Sequence, residues 1–149
     1  RDKLIADPAE FIVPNRMSNV ILKIGDEKLH VSKEYLAVQS PFFATLFFGE
    51  FAEKSKEEVE IKDVIYEEFL DLLHLSYHRT VKIIDYTVLD VLKLSDQFQM
   101  DDILEQAKLH LTESKNIDTL TKLLVADQYN LVDLKFTFLE SCHVVSVTD

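Results

Sequence analysis

The fold of this chain is decided by residues 19–51, which read NVILKIGDEKLHVSKEYLAVQSPFFATLFFGEF. Apolar and polar residues alternate in the first part of this stretch, on both sides of the dipeptide Gly25-Asp26. Such alternation is typical of a strand with one buried face, and Gly-Asp is typical of the turn between two strands. The pattern therefore predicts a β-hairpin.

Two helix starts follow the hairpin directly. Ser32 precedes a short apolar segment, and Ser40 stands before Pro41, a residue that suits the first position of a helix. The second of these helices is apolar nearly all round, which predicts burial on several sides, and Gly49 is placed to end it. Strand, strand, helix and helix is the predicted order.

One further strand and a series of helices are predicted for the rest of the chain. Residues 57–62, EEVEIK, alternate charged and apolar residues, which indicates a strand buried on one face. Asp85 is expected to cap the second of the later helices, and Asn116 or Asp118 the fourth. With residues 1–18 as an extended or weakly helical lead-in, the fold class is α+β. The later helices are marked by apolar residues at helical spacing: Ile65, Phe69, Leu72 and Leu73; Val88, Val91 and Leu92; Ile103, Ala107 and Leu111; Leu120, Leu123 and Leu124; Leu131, Leu134 and Phe138.

Length, charge and cysteine content restrict the class of protein. The 149 residues suit one domain with a small appendage, and the net charge of −11 argues against a nucleic-acid binder. The single cysteine, Cys142, excludes an internal disulfide, and no apolar run is long enough to span a membrane. Because the chain starts with neither Met nor a signal-peptide pattern, we interpret it as part of a longer cytoplasmic or nuclear protein.

A search for catalytic and metal-binding residues finds little. Two isolated glycines cannot form a phosphate-binding loop. Asp71, His74 and His78 share a helix face, but a histidine pair lacks the further ligands of a zinc site, so a polar helix end is the favoured interpretation. Cys142 and His143 have no oxyanion site beside them, and Cys142 is interpreted as a small buried residue. We expect no enzyme, no cofactor and no metal, and we predict a binding or assembly module.

The order of elements and several local strings resemble the BTB/POZ family. The quoted stretch carries the hairpin, the K-x-x-L helix and the S-P-x-F helix start of that family. Residues 59–77, VEIKDVIYEEFLDLLHLSY, are similar to its third strand and next helix. Residues 91–104, VLKLSDQFQMDDIL, resemble a later helix, with Ser95 and Phe98 replacing the commoner alanine and tyrosine. The resemblance implies a small three-stranded sheet flanked by helices.

The end of the chain resembles one branch of the family. Its string IDTLTKLLVADQYNLVDLKFTFLESCHVV is similar to the helical pair, or 3-box, that follows the BTB core in MATH–BTB adaptors of the speckle-type POZ kind. The resemblance implies a lead-in for dimerisation at 1–18, a BTB/POZ domain at 19–115 and a 3-box or BACK-like extension at 116–149. It also implies a preceding MATH domain that selects substrates.

The resemblance further implies a partner and the residues that meet it. Cullin-3 adaptors of this family end a helix with an apolar residue, any residue and then glutamate, and Phe51-Ala52-Glu53 fits that pattern. Phe47 is expected to add to the same surface. The implied function is a non-catalytic adaptor that homodimerises and recruits cullin-3 into a ubiquitin ligase. The alternative is a BTB scaffold for transcriptional or other assemblies that does not bind cullin.

Dimer contacts are expected in the lead-in and the first helix after the hairpin, where relatives pair. The sequence departs from the family at Asn19 and Ser32, where Asp and His are common, and so loses a carboxylate near that interface. The apolar residues expected at the interface are Leu4, Ile5, Phe11, Ile12 and Tyr35.

Overall fold

A computed structural model gives the arrangement of residues 9–52 and 57–148, with side chains to residue 141. Helices surround a small sheet, which confirms the predicted α+β class. The elements are α1 Ala9–Ile12, β1 Val20–Ile24, β2 Glu27–Val31, α2 Lys33–Gln39, α3 Pro41–Phe48, β3 Glu58–Glu60, α4 Tyr66–Tyr77, α5 Val88–Gln97, α6 Asp101–Glu113, α7 Thr119–Gln128 and α8 Val132–Thr148.

The sheet has the strand order β2-β1-β3. In its antiparallel half, Leu22 lies opposite Leu29, and in its parallel half Leu22 lies opposite Val59. Gly25 makes the turn between β1 and β2 with φ +59°, a left-handed conformation that glycine adopts without steric cost. The central strand therefore buries one row of side chains against the helices, as its alternating sequence predicts.

Both predicted helix starts are confirmed, and each is capped by a serine hydroxyl. Ser32 Oγ accepts from the backbone N–H of Tyr35 at 3.2 Å, and Ser40 Oγ accepts from that of Phe43 at 3.0 Å. Gly49 is the C-terminal cap residue of α3, where the backbone turns to an extended conformation, and a Cβ at that position would lie 2.4 Å from the carbonyl oxygen of Thr45. Only glycine leaves room for this close approach.

Aromatic rings from three elements form the centre of the core. Phe98, at the end of α5, stacks on Phe43 of α3 with ring centroids 5.4 Å apart. It also meets Phe69 of α4 edge-on at 5.3 Å, and all three side chains are fully buried. Such pairs contribute about 0.5–1.5 kcal/mol each beyond their burial. This cluster fixes the orientation of α3 and hence the position of the residues that follow it.

Helix α3 is less buried than its composition predicts. Phe43 and Phe47 are in the core, whereas Phe48 is 50% exposed. The expectation of burial on several sides is wrong because only one face of α3 meets the core, and the exposed residues Pro41, Thr45 and Phe48 recur at helical spacing on another face.

Asp85 does not cap α5 as predicted. That helix begins at Val88 without a side-chain cap, and Asp85 instead accepts hydrogen bonds from Asn116 Nδ2 at 3.0 Å, Ser114 Oγ at 2.8 Å and His110 Nε2 at 2.7 Å. The donors on Asn116, Ser114 and His110 lower the pKa of the Asp85 carboxyl from 3.8 to about 2. The carboxylate thus joins the loop before α5 to the segment between α6 and α7.

Helix α7 turns a different face to the core from the one predicted. Asp118 caps it, as expected, but Leu120 and Leu124 are exposed, and the buried residues are Lys122, Val125 and Ala126. Lys122 is buried because its ammonium donates to carbonyl groups at the end of α6. It lies 2.6 Å from the oxygen of Ser114 and 5.7 Å from the ring centre of Phe138.

Helix α8 packs on α7 chiefly through Phe138, which is 3% exposed. Leu131 and Leu134 pack partly against the core. Leu139 is 45% exposed, because it follows Phe138 on a different face of the helix.

The hydrogen bonds that Asp85 accepts predict how the stability of the fold depends on pH in acid. Because its pKa is lower in the folded chain than in the unfolded one, Asp85 stabilises the fold above about pH 4, and this contribution is lost as the pH falls toward 2. Asp85→Asn should therefore be less stable than wild type at pH 6, and the difference should shrink below pH 3. Urea unfolding over this pH range measures it, with Glu113→Gln as a control for net charge. A difference that stays constant with pH contradicts the assignment.

The packing of α8 on α7 predicts which side chains of α8 contribute to the free energy of unfolding at neutral pH. Phe138→Ala should lower the free energy of unfolding by about 3–5 kcal/mol, because it leaves a cavity between α7 and α8. Leu139→Ala, on the neighbouring exposed position, should cost about 1 kcal/mol or less. Urea unfolding followed by circular dichroism compares the two. Equal losses would show that α8 does not dock through the Phe138 ring.

Candidate functional site

The segment after α3 exposes aromatic side chains to solvent. Phe51 is 95% exposed, in a turn closed by a 3.1 Å hydrogen bond from the N–H of Ala52 to the carbonyl of Gly49. Phe48, three residues before it, is half exposed, and Glu50 between them is exposed as well. We call Phe48, Glu50 and Phe51 the α3 seam. Two accessible rings beside a carboxylate form a surface that a partner protein could cover with an apolar pocket, with the carboxylate at the polar rim of the contact.

Two of the residues predicted for this surface, Phe47 and Glu53, are not part of the α3 seam. Phe47 was expected to contribute to it, but Phe47 is 3% exposed and stacks on Phe43 at 5.6 Å, so its ring belongs to the core and Phe48 takes its place at the surface. Glu53 lies outside the residues that the structure describes.

A second group of aromatic rings holds residues 9–17, which comprise α1 and the start of the loop after it and which we call the N-terminal arm. Phe11 of α1 is buried edge-on against Tyr77 of α4 at 5.1 Å, and Tyr35 of α2 lies 4.6 Å from the same ring. The Tyr77 hydroxyl accepts from the N–H of Ser32 at 3.0 Å, and burial raises the pKa of that hydroxyl. Tyr35 donates to the carbonyl of Ser76 at 3.0 Å. Residue Phe11 thus packs on α4 of its own chain.

Of the predicted dimer residues that the structure describes, one is buried and two are exposed. Phe11 is fully buried within one chain and offers no surface to a partner, because its ring is covered by Tyr77. Ile12 and Tyr35 remain exposed, together with Val13 and Met17. We call these four exposed residues the arm surface. Leu4 and Ile5 lie outside the described residues.

A third group joins the arm to the end of α4. Glu10 Oε2 lies 3.1 Å from His74 Nδ1, and Glu10 Oε1 lies 2.5 Å from His78 Nε2. The sequence placed Asp71 with these histidines, but Asp71 is buried in the core, on the inner side of α4. Glu10 is 64 residues away from His74 in sequence, so no local spacing could have revealed it.

Comparisons with known proteins agree with this architecture. The family model described as BTB/POZ domain matches residues 11–115, well over half of the chain. The chain belongs to the BTB/POZ family. BTB domains are protein–protein interaction domains that commonly dimerise, and members of the family are typically non-catalytic adaptors.

The curated relatives include BTB and MATH domain-containing proteins and Kelch-like proteins. The chain is 38% identical over 128 residues to BTB and MATH domain-containing protein 38 of Caenorhabditis elegans, covering 86% of this chain and 33% of that protein. It is 36% identical over 119 residues to protein 36 of the same series, covering 80% and 37%. The chain therefore spans about a third of the length of these relatives.

Solved structures with the BTB fold are similar at lower identity. The BTB domain of human Gigaxonin matches with a TM-score of 0.53 and 19% identity, over 62% of this chain and 76% of that one. That of zebrafish PATZ1 matches with a TM-score of 0.56 and 20% identity, over 66% and 79%. These likenesses show the fold.

Within the described residues, no helix is long and apolar enough to cross a membrane.

One position at which the chain departs from the BTB pattern has a structural role. The side-chain carbonyl of Asn19 accepts from the N–H of Lys33 at 2.8 Å, and its amide donates to Glu34 Oε2 at 2.7 Å. That donor holds the pKa of the Glu34 carboxyl below its ordinary value. An aspartate could accept from Lys33 but could not donate to Glu34, so the asparagine and Glu34 form a matched pair.

Proposed function

We propose that this chain is the homodimerising BTB part of an adaptor that recruits cullin-3 into a ubiquitin ligase. Substrates are selected by a MATH-type domain of the same protein, outside this chain. The family and the MATH-containing names of its relatives support the adaptor class. The single observation that carries the cullin assignment is the exposure of Phe51 in the turn after α3.

The exposed Phe51 ring is suited to act as an anchor. Burying a phenylalanine side chain contributes about 1.5–3 kcal/mol, and at 95% exposure nearly all of that remains to be gained from a partner. The turn hydrogen bond from Ala52 to Gly49 restrains the backbone beside the ring, which lowers the entropic cost of binding. The ring inserts into an apolar pocket of the cullin, with Phe48 packing at its side.

Carboxylates near the ring supply orientation rather than affinity. Glu50 is exposed within the α3 seam, and Glu53 follows Phe51 by two residues. Charges at the rim of an interface stay partly hydrated, so they steer the approach of the partner and contribute less to the binding free energy. The chain's net charge of −11 favours a partner surface with basic groups around the pocket.

Dimerisation uses the arm surface. Ile12 directly follows Phe11 in α1, and Tyr35 contacts Tyr77, so both exposed side chains adjoin the Phe11–Tyr77 contact. Interfaces of homodimers are more apolar than ordinary surface, and the same patch meets itself across a twofold axis. Four exposed apolar side chains in one segment and its neighbouring helix fit that description.

The dimer proposal is tested by Ile12→Lys, which places two like charges in the interface without removing a core contact. We expect a monomer with an unchanged circular dichroism spectrum, as measured by light scattering at micromolar concentration. Tyr35→Lys should also give monomer, but it removes the ring contact with Tyr77 and is expected to lose stability as well. Leu124→Lys, on the exposed face of α7, is the matched control and should stay dimeric. A monomeric wild-type chain overturns the proposal.

The cullin proposal is tested by Phe51→Ala. Truncation of a central anchor costs about 2 kcal/mol or more, so affinity for the N-terminal domain of cullin-3 should fall about thirtyfold or further. Glu53→Ala should weaken binding less, because rim charges contribute less. Calorimetry with the purified domains gives the affinities, and circular dichroism checks each fold. Tyr86→Ala, another exposed aromatic ring, is the matched control and should bind as wild type.

Two outcomes overturn parts of this assignment separately. If wild-type chain shows no binding at tens of micromolar cullin-3, the chain is a BTB scaffold of another kind. If wild type binds and Phe51→Ala binds equally well, cullin is the partner but the α3 seam is not the contact. Phe47→Ala is unsuitable for this test, because removing a core ring destabilises the domain itself.

A further inference from the structure

We propose that Glu10, His74 and His78 form a binding site for a zinc-class divalent cation that clips the N-terminal arm to helix α4. The ligand atoms of these three residues lie within 4.8 Å of one another. They come from two elements, α1 and the end of α4, which only the tertiary fold brings together. The site is separate from the α3 seam and does not depend on cullin binding.

The geometry suits a metal with few changes. His74 and His78 are one helical turn apart, and their rings are 4.6 Å apart between centroids, so both can face one point. The contact from Glu10 Oε2 to His74 Nδ1, at 3.1 Å, is near the ligand-to-ligand spacing of about 3.3 Å that zinc bonds of about 2.0–2.1 Å produce in a tetrahedron. The 2.5 Å contact of Glu10 Oε1 with His78 Nε2 is shorter than that spacing and must lengthen when an ion binds. Small side-chain rotations admit the ion.

The chemistry of the ligand set selects the class of cation. Two imidazole nitrogens and one carboxylate suit zinc, copper or nickel, whereas magnesium and calcium prefer oxygen ligands only. The side chains of His74, Glu10 and His78 are 13%, 27% and 42% exposed, so the site is partly sheltered and remains open on the His78 side. Water completes the fourth position from that side, as in other three-ligand zinc sites.

The alternative is a pair of hydrogen bonds and nothing more. Because a carboxylate only accepts, both ring nitrogens must carry hydrogen when they face Glu10 without a metal. In the metal state each neutral imidazole carries its hydrogen on the other ring nitrogen, so that the nitrogen facing Glu10 can bind the ion, and the three side chains are drawn to one centre. The two states differ in a measurable way: only the metal state makes the docking of α1 depend on the concentration of zinc.

Metal binding should hold the arm in place. Glu10 is followed directly by Phe11, whose ring packs on Tyr77, so the metal adds a polar attachment to an apolar one. Arg16 lies in the exposed loop between α1 and β1. Cleavage there by trypsin requires the loop to enter the protease, which is easier when the arm detaches. Zinc should therefore slow cleavage after Arg16.

The test is calorimetry of the tag-free chain with zinc chloride, and with magnesium chloride for comparison. We expect saturable zinc binding of about one ion per chain with a Kd of about micromolar or below, and no magnesium binding. Glu10→Gln and His78→Ala should each weaken zinc binding by about tenfold or more, since each removes one of three protein ligands. His30→Ala, which changes a histidine of β2 outside the cluster, should bind zinc as wild type does.

Absorption of the cobalt-substituted chain and the rate of trypsin cleavage after Arg16 are independent measurements on the same variants. Zinc should slow that cleavage in wild type and in His30→Ala, and leave it unchanged in Glu10→Gln. No saturation at about 100 μM zinc overturns the proposal. So does a Glu10→Gln variant that binds as tightly as wild type, because the histidine pair would then hold the ion without the arm. Neither outcome bears on cullin binding.

Discussion

The hydroxyl of Ser40 makes two hydrogen bonds that tie distant parts of the chain together. It accepts from the N–H of Phe43, which caps α3, and it donates to the carbonyl of Phe98 at 2.5 Å, which holds the end of α5. Since the hydroxyl is fully buried, loss of either partner would leave a polar group without compensation in the core. The stacked rings of Phe43 and Phe98 lie beside it. Together they fix where α3 starts and which way it points.

The proposed cullin contact follows from that constraint. With α3 anchored at its start and buried along one face, its other face must be exposed, and Gly49 ends the helix before a further turn can cover it. Phe48 and Phe51 are exposed for this reason and not because the segment is polar. The same packing that stabilises the core thus leaves apolar side chains at the surface, where a partner can cover them.

Tyr77 has the corresponding role for the arm. Its ring contacts Phe11 and Tyr35, and its hydroxyl accepts from the backbone of Ser32, so one side chain joins α1, α2 and α4. Two of the proposed metal ligands are sequence neighbours of these rings: Glu10 precedes Phe11, and His78 follows Tyr77. The apolar and polar attachments of the arm are therefore adjacent, and we expect the loss of one to weaken the other. The C-terminal helices are attached differently, through Asp85 and Lys122, which bind polar groups at the end of α6.

The sequence by itself determined the features that depend on neighbouring residues. The turn at Gly25, the caps at Ser32, Ser40 and Asp118 and the end of α3 at Gly49 all involve atoms within a few positions of one another. The tertiary structure decided which face of an element is buried when both faces are apolar, as for Phe47 against Phe48. It also decided which residues distant in sequence meet, as for Glu10 with His78 or Asp85 with His110. Helical periodicity specifies the angle between side chains, but the direction of the core depends on every other element, and no local pattern contains it.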